Sequence, residues 1–326
     1  MNGKISIITP LFNRELLIAE TWFSIQSQTY KEWEWIVVDD GSTDNSREVV
    51  HELSRKDERI KVFRRPDHLL KGPSSCRNFG VTKSDGAYLI FLDSDDLLSR
   101  SCLDERLRIM VDNPGLDFAV FPMQYFKEKP NDSNKIFNIY SSNTRGYLHL
   151  FLSDNPPWQT MCPIWRKDSF ERLGGFREDY LCMEDPELHV RAILANYRFH
   201  VVKGDPDCFY RHSFDENQAS HQFWEKSIEG RVQFMQDVWN TYRGHEFSKG
   251  ISSDLKIFLR RLIKYFLLAR IKEYKNHYKT ILNWAHQEKI ISLLEKKFLD
   301  FTLYIFSSEY RWVKTLKLRG VIYQLI

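Results

Sequence analysis

The sequence predicts an α/β fold with a mostly parallel central sheet flanked by helices, followed by a helical C-terminal region. Three observations predict it. Apolar, strand-like runs alternate with helically spaced segments through the first hundred residues, which implies right-handed crossovers and parallel strands. The runs Trp33–Val38 and Ala87–Leu92 are largely apolar, as in strands buried on both faces. From about residue 219 onward, apolar residues recur at helical spacing, through Phe223, Ile228, Val232, Met235 and Trp239 and on past Leu255 and Leu259. The expected organisation is therefore an α/β domain over residues 1–218 and a helical region over 219–326.

In chain order, Lys4 to Pro10 reads as the first strand, ended by its proline. Leu16 to Gln28 carries Leu16, Leu17, Ala19, Trp22, Phe23 and Ile25 at roughly helical spacing. The second strand delivers Asp39-Asp40-Gly41-Ser42-Thr43-Asp44. Gly41 supplies a turn there, and Ser42 to Asp44 offer an N-cap for a helix reaching about Ser54. Ile60–Phe63 is a short third strand, Cys76–Val81 a helix, and Ala87–Leu92 the next strand. Asp117–Met123 reads as another strand, residues 127–146 as a polar loop or flap, and Tyr147–Leu152 as a short helix. Pro156-Pro157-Trp158 forms a rigid aromatic corner. Pro163–Arg166 is strand-like and Arg172–Phe176 a turn. Glu184-Asp185 opens a helix whose first turn holds Pro186, a favoured place for proline. Phe199–Val202 and Phe209–Ser213 close the sheet region.

Hydrophobic content of 42% and charged content of 28% are those of a soluble globular protein. The N-terminus runs straight into a strand-like segment, which reads as a chain without a signal peptide. No uninterrupted apolar stretch approaches the roughly 20 residues of a spanning helix. Five scattered cysteines without a CxxC spacing argue against a disulfide framework or zinc site and fit a reducing cytoplasm. Neither GxGxxG nor GxxxxGK[ST] follows any strand, so no standard dinucleotide or P-loop signature is present.

The chemistry concentrates where strands end. Phe91-Leu92-Asp93-Ser94-Asp95-Asp96 puts three acids at the C-terminal edge of a buried strand, where open α/β sheets place their ligands. Such acids repel one another unless positive charge sits between them. Mg²⁺ and Mn²⁺ take carboxylate oxygens and share them with substrate phosphates. The plainer alternative is a polar loop capping the next helix through Asp95 or Asp96. Asp39 and Asp40 stand at a second strand end, where one of them could equally cap the following helix.

A set of blocks in fixed order makes the pattern specific: ISIITPLFN (5–13), VDDGSTD (38–44), SCRNFG (75–80), FLDSDD (91–96), Gly174-Gly175-Phe176 followed by Glu184-Asp185, and Tyr210-Arg211-His212. Together, over about residues 4–215, they resemble the family 2 glycosyltransferases of GT-A fold. The resemblance implies inverting transfer of a sugar from a nucleotide diphosphate sugar, expected to be a UDP-sugar, to an acceptor hydroxyl. It implies Mn²⁺ or Mg²⁺ held by Asp95, with Asp93 on the ribose or a metal-bound water and His212 as a further ligand. Ser94 lies within the same block. Pro10 and Phe12 match the wall around the base, Asp39 and Asp40 the nucleotide end, and Arg77 a base or phosphate contact. Asp185 matches the catalytic base, for which the alternative is a first-turn acid favoured by the helix dipole. Glu184 is expected to hold structure or an acceptor hydroxyl. Trp158 falls where the family lines its acceptor site, with core packing as the alternative. The acceptor would be a glycan or lipid-linked saccharide of a bacterial surface polymer. A nucleotidyltransferase would want a Gly-rich basic loop where Leu11-Phe12-Asn13-Arg14 stands. A non-catalytic nucleotide-sugar-binding subunit would be expected to lack Asp185 or the DxD.

Charge is unevenly distributed. Residues 251–326 hold 15 Lys+Arg against 6 Asp+Glu, a net of +9, leaving −6 for the rest of the chain. The basic tail suggests peripheral contact with an anionic membrane at the inner face of the cell, a homodimer contact, or a helical cap with a solvated basic side. No nucleic-acid recognition motif is present.

Overall fold

Seven strands form the central sheet in the order β3-β2-β1-β4-β8-β6-β9. They are β1 (Ile5–Leu11), β2 (Trp33–Asp39), β3 (Ile60–Arg64), β4 (Tyr88–Phe91), β6 (Phe118–Val120), β8 (Pro163–Arg166) and β9 (Phe199–Val201). The computed structural model describes residues 3–180, 182–212, 221–244, 248–307 and 318–326. β1 runs parallel to β2 and β4, β2 to β3, and β6 to β9; β8 is antiparallel to both its neighbours. β1, β2 and β4 are buried along almost their whole length, which explains why their sequences do not alternate. A second sheet has the order β5-β10-β7, with β5 (Leu97–Leu98), β7 (Met123–Phe126) and β10 (Cys208–Arg211).

Two strand expectations are corrected. Pro10 does not end β1, which continues to Leu11 with Pro10 opposite Val38. β4 pairs with β1 only as far as Ile8 opposite Phe91, and Ile8 O points to the β4 side, where it accepts from Leu92 N–H. Two residues on, Pro10 faces that same side beyond the end of pairing, where its missing N–H costs nothing. The run 117–123 is not one strand. It breaks at Phe121-Pro122, so that β6 stays in the central sheet and β7 joins the second one.

Helices α1 (Ile18–Gln26), α2 (Ser46–Ser54), α3 (Pro73–Thr82), α4 (Cys102–Asp112), α6 (Lys167–Leu173) and α7 (Glu184–Leu194) accompany these sheets. α3 starts earlier than its apolar spacing suggested because Pro73 occupies the first helical position. It lies close on β1, and a Cβ on Gly80 would come within 2.5 Å of Ile8 Cγ2. At the core of this unit Arg106 is fully buried against Asp207. Its Nε and Nη2 each donate to one carboxylate oxygen at 2.7 Å, and its Nη1 donates to Met161 O at 2.8 Å.

The chain divides into two compact units. The first comprises residues 1–142, 157–180 and 184–214; the second comprises 143–156, 181–183 and 215–326. The second is helical: α5 (Thr144–Leu152), α8 (His221–Tyr242), α9 (Ser248–Arg261), a π-helical turn Leu262–Leu267, a 3₁₀ turn Leu268–Arg270, α10 (Ile271–Gln287), α11 (Leu293–Ser307) and α12 (Leu318–Leu325). The segment carrying α5 belongs with these helices because buried Asp254 on α9 binds both Arg145 (2.6 Å) and His149 (2.7 Å). The expected boundary near residue 219 and the end of the strand expected at Ser213 lie outside the described residues. No described helix is long and apolar enough to cross a membrane.

Candidate active site

The winding of the sheet fixes where the site lies. The chain steps from β1 through α1 to β2 and through α2 to β3 in one direction; α3 then returns it to β4 on the other side of β1. The C-terminal edges of β1 and β4 flank the point where this winding reverses, the position at which open α/β sheets bind ligands. β1 delivers Phe12, Asn13 and Arg14 there, and β4 delivers Asp93, Ser94, Asp95 and Asp96.

Arginines from three separate segments meet these acids. Arg14 Nε donates to Asp95 Oδ2 at 3.0 Å. Arg77, 4% exposed, donates from Nη2 to Asp93 Oδ1 at 2.6 Å. Arg211 donates from Nε to the Asp95 carbonyl at 2.9 Å and from its backbone N–H to Asp96 Oδ1 at 2.8 Å. Burial, then the neighbouring Asp93 charge, pushes Asp95 above the usual carboxylate range, against the pull of Arg14. Burial with repulsion from Asp95 and Asp93 pushes Asp96 well up. Ser94 is buried between them.

The nucleotide-side candidates sit at the end of β2. Asp39 accepts from Gly41 N–H (3.2 Å) and Ser42 N–H (3.1 Å), so it shapes the loop after the strand. Gly41 is at φ +85°, which a side chain would strain. Asp40 pairs with Arg65 at 2.5 Å. Asp44 accepts from the N–H groups of Glu15 and Ser46, tying this loop to the one after β1. Phe12 is exposed, with Lys71 Nζ 4.2 Å above its ring; Pro10, two residues earlier, is half-buried.

α7 supplies the second carboxylate group. Its first turn holds Glu184 and Asp185, and Arg77 Nη1 reaches to 3.6 Å from Glu184 Oε1. Burial pushes Glu184 up, against the pull of Arg77. The helix is anchored through the turn before it. Arg191 holds Glu187 at 2.8 Å and donates to the carbonyls of Leu173 and Gly175. Asn78, next to Arg77 on α3, donates to Phe176 O and accepts from Phe176 N–H. A Cβ on Gly175 (φ +67°) would stand 2.6 Å from Asn78 Oδ1. Glycine there lets α3 and the turn approach, and that approach sets Arg77 toward Asp93 and Glu184 together.

Two expected site residues are elsewhere. Trp158 has no exposed surface. Its ring packs edge-on against His189 at 5.5 Å and against Phe199 at 5.7 Å. It is a core residue and offers no face on which a sugar stacks. His212 does not join Asp93 and Asp95. Among the described residues, no three His, Cys, Asp or Glu side chains are arranged so that together they could hold a metal ion. The pairing of β10 with β5 brings Arg211, not His212, to the acids, while His212 lines a cleft of about 490 Å³ with Tyr125, Lys127, Glu128 and Lys135. The residues left fit a hard divalent cation by their donor chemistry. Asp93 and Asp95 are 42% and 22% exposed and offer oxygen ligands only, and Mg²⁺ or Mn²⁺ keeps several waters.

Arg65 and His189 carry no signal in the sequence, and Arg14 and Arg211 lie inside stretches singled out there without a role of their own. Position is the signal for these two: Arg14 lies three residues beyond β1 and Arg211 ends β10, at the edge that also carries the acids.

Comparison with known proteins agrees with this architecture. A profile described as "Glycosyl transferase family 2" matches residues 6–173, just over half of the chain. An uncharacterized glycosyltransferase of Haemophilus influenzae is 40% identical over 109 residues, 33% of this chain and 43% of that protein. A GalNAc(5)-diNAcBac-PP-undecaprenol beta-1,3-glucosyltransferase of Campylobacter jejuni is 40% identical over 100 residues, 31% of this chain and 32% of that protein. The matched stretch thus spans less than half the length of these curated relatives. Among solved structures, S. aureus TarS 1-349 in complex with UDP-GlcNAc superposes with a TM-score of 0.68 at 20% identity, over 97% of this chain and 92% of that one. The Pyrobaculum calidifontis mannosyltransferase PcManGT with GDP-Man and Mn²⁺ gives 0.56 at 16% identity, over 99% and 86%. These structural likenesses establish a GT-A fold. With the profile match over residues 6–173, just over half of the chain, they show that this chain belongs to glycosyl transferase family 2.

Proposed function

We propose that this chain is a metal-dependent, inverting glycosyltransferase that moves a sugar from a UDP-sugar to an acceptor hydroxyl of a bacterial surface glycan or lipid-linked saccharide. The observation that carries the reading is the meeting, around Arg77, of Asp93 at the end of β4 and Glu184 in the first turn of α7. One guanidinium thereby serves both the donor end and the acceptor end of a site at the switch point of the sheet.

In this reading Asp95 and Asp93 hold Mn²⁺ or Mg²⁺, which when bound neutralises the leaving diphosphate. Phe12 offers an apolar face to the base, and Asp39 and Asp40 lie on the nucleotide side. Arg14 and Arg77 hold the acids in place before the donor arrives. Asp185 accepts the proton of the acceptor hydroxyl as its oxygen bonds to the anomeric carbon and the bond to the diphosphate breaks. The products are the glycoside, with inverted configuration, and UDP. The basic C-terminal region would bring the enzyme to the anionic inner face of the cell membrane. The UDP-GlcNAc complex of TarS and the undecaprenol-linked glycan in the name of the Campylobacter relative are consistent with this chemistry.

The test is a panel of nucleotide sugars incubated with the protein, with and without Mn²⁺ or Mg²⁺, followed by release of nucleoside diphosphate. Metal-dependent release of UDP from one or more UDP-sugars is expected. Release that is indifferent to metal removal would overturn the metal assignment, and turnover confined to other nucleotides would overturn the donor.

A further inference from the structure

We propose that His189 is a positioning residue that fixes the carboxylate of Asp185 for proton abstraction, an inference that rests on the reading of Asp185 as base. His189 lies one turn below Asp185 on α7. Its Nδ1 is 3.0 Å from Asp185 Oδ1 and 2.9 Å from the Asp185 carbonyl. The imidazole is 1% exposed, whereas the Asp185 side chain is 16% exposed. One end of the pair is thus set in the protein, and the other opens outward.

The ring is held by aromatic neighbours. Trp158 meets it at 5.5 Å with an interplanar angle of 88°, Trp165 at 5.9 Å and Phe118 at 6.1 Å. β8 and β6 supply Trp165 and Phe118 from the central sheet, so the imidazole is packed against buried sheet residues. With its proton on Nδ1, the ring donates to the Asp185 carbonyl, and the same nitrogen stands 3.0 Å from Oδ1, a buried carboxylate oxygen that has no hydrogen-bond partner of its own among the described residues. A lone aspartate in a helical first turn has several staggered rotamers. Here a competing attraction also exists, since the field of Arg77 reaches Asp185 as well as Asp93 and Glu184. The His189 contact keeps Oδ1 on the imidazole side, while the side chain as a whole remains 16% exposed. The same packing accounts for burial of Trp158: it shapes the base indirectly, through His189.

The experiment compares three variants in the full chain, using the UDP-sugar of the panel that the parent hydrolyses fastest. His189→Phe keeps the ring volume and removes the donor. His189→Asn places an amide N–H where Nδ1–H stands, and His189→Gln places its amide near the Nε2 position instead. Misplacement of a catalytic group on this scale costs up to about 10²-fold. His189→Phe is expected to lower kcat about 10–100-fold with KM and UDP affinity within about threefold, and His189→Asn to recover most of kcat while His189→Gln does not. Should His189→Phe fail to fold, the Asn and Gln pair still decides. Equal loss in Asn and Gln, or kcat within threefold of the parent in Phe, overturns the inference. Asp185→Asn is measured alongside. An inactive Asp185→Asn with an active His189→Phe overturns the positioning role alone, whereas an active Asp185→Asn overturns the base assignment and the positioning role with it.

Discussion

Arg77 Nη2 donates to Asp93 at 2.6 Å while the other terminal nitrogen of the same guanidinium stands 3.6 Å from Glu184. α3, the end of β4 and the start of α7 are thereby joined by one buried cation. Lysine, a single point charge on a flexible stem, cannot span both carboxylates. Arg77→Lys is expected to weaken UDP binding by about tenfold, the loss of one charge-assisted hydrogen bond of about 1.5 kcal/mol. Calorimetric titration of UDP checks it, and unchanged affinity would mean that Arg77 serves the fold alone.

The two carboxylate groups are expected to separate by function. Asp185→Asn keeps shape and removes the proton acceptor, so turnover should fall about 10²–10⁴-fold, or roughly 3–5 kcal/mol of barrier, with donor affinity little changed. Asp95→Ala should weaken both metal-dependent UDP binding and turnover. Steady-state rates and UDP affinity of both variants distinguish the roles. If Asp185→Asn turns over within a few-fold of the parent, Glu184 becomes the candidate base.

The fully buried Arg106–Asp207 pair gives a stability prediction. Asp207→Ala strands a guanidinium in the core, and breaking a buried pair from one side costs about 3–5 kcal/mol. Replacing both partners with apolar residues should cost much less. Denaturant unfolding of Asp207→Ala and of Arg106→Met with Asp207→Leu makes the comparison; equal losses would contradict it.

Glu34 gives a pH dependence. Burial alone would raise its carboxyl, but Lys61, Ser6, the Asp85 backbone N–H and Lys4 hold it down at about 2, from an ordinary 4.5. A depressed folded-state value stabilises above the unfolded value and loses that stabilisation as pH falls through the folded one. Thermal unfolding midpoints should therefore decline between about pH 4.5 and 2 in the parent. Glu34→Gln should start lower and lose less across that window.

For the basic region, co-sedimentation with liposomes is the check. α11 presents exposed Leu294, Phe301 and Tyr304, and residues 251–326 carry a net +9. Binding should require anionic lipid and weaken with salt, because such attraction is screened within about 10 Å at 0.1 M. Sedimentation indifferent to both would leave a packed helical cap as the better account.

Much of this protein could be read along the chain. Strand and helix periods are local, and so are acids placed at strand ends; hence β1, β2, β4 and the acids that follow β2 and β4 were legible, as was the helical start at Glu184. What the tertiary structure decided is which groups meet across long separations. Arg14 reaches Asp95 from 81 residues away and Arg211 reaches the Asp95 carbonyl from 116, and no spacing rule encodes either. Trp158 and His212 were placed by motif, but burial depends on what packs above a residue, and sheet pairing brought Arg211 rather than His212 to the acids. Pro122 divides one apolar run between two sheets because it cannot donate to a ladder. His189 looks in sequence like any polar residue on a helix. It acquires a role only because Trp158, Trp165 and Phe118, from other parts of the sheet unit, close around its ring and aim it at Asp185.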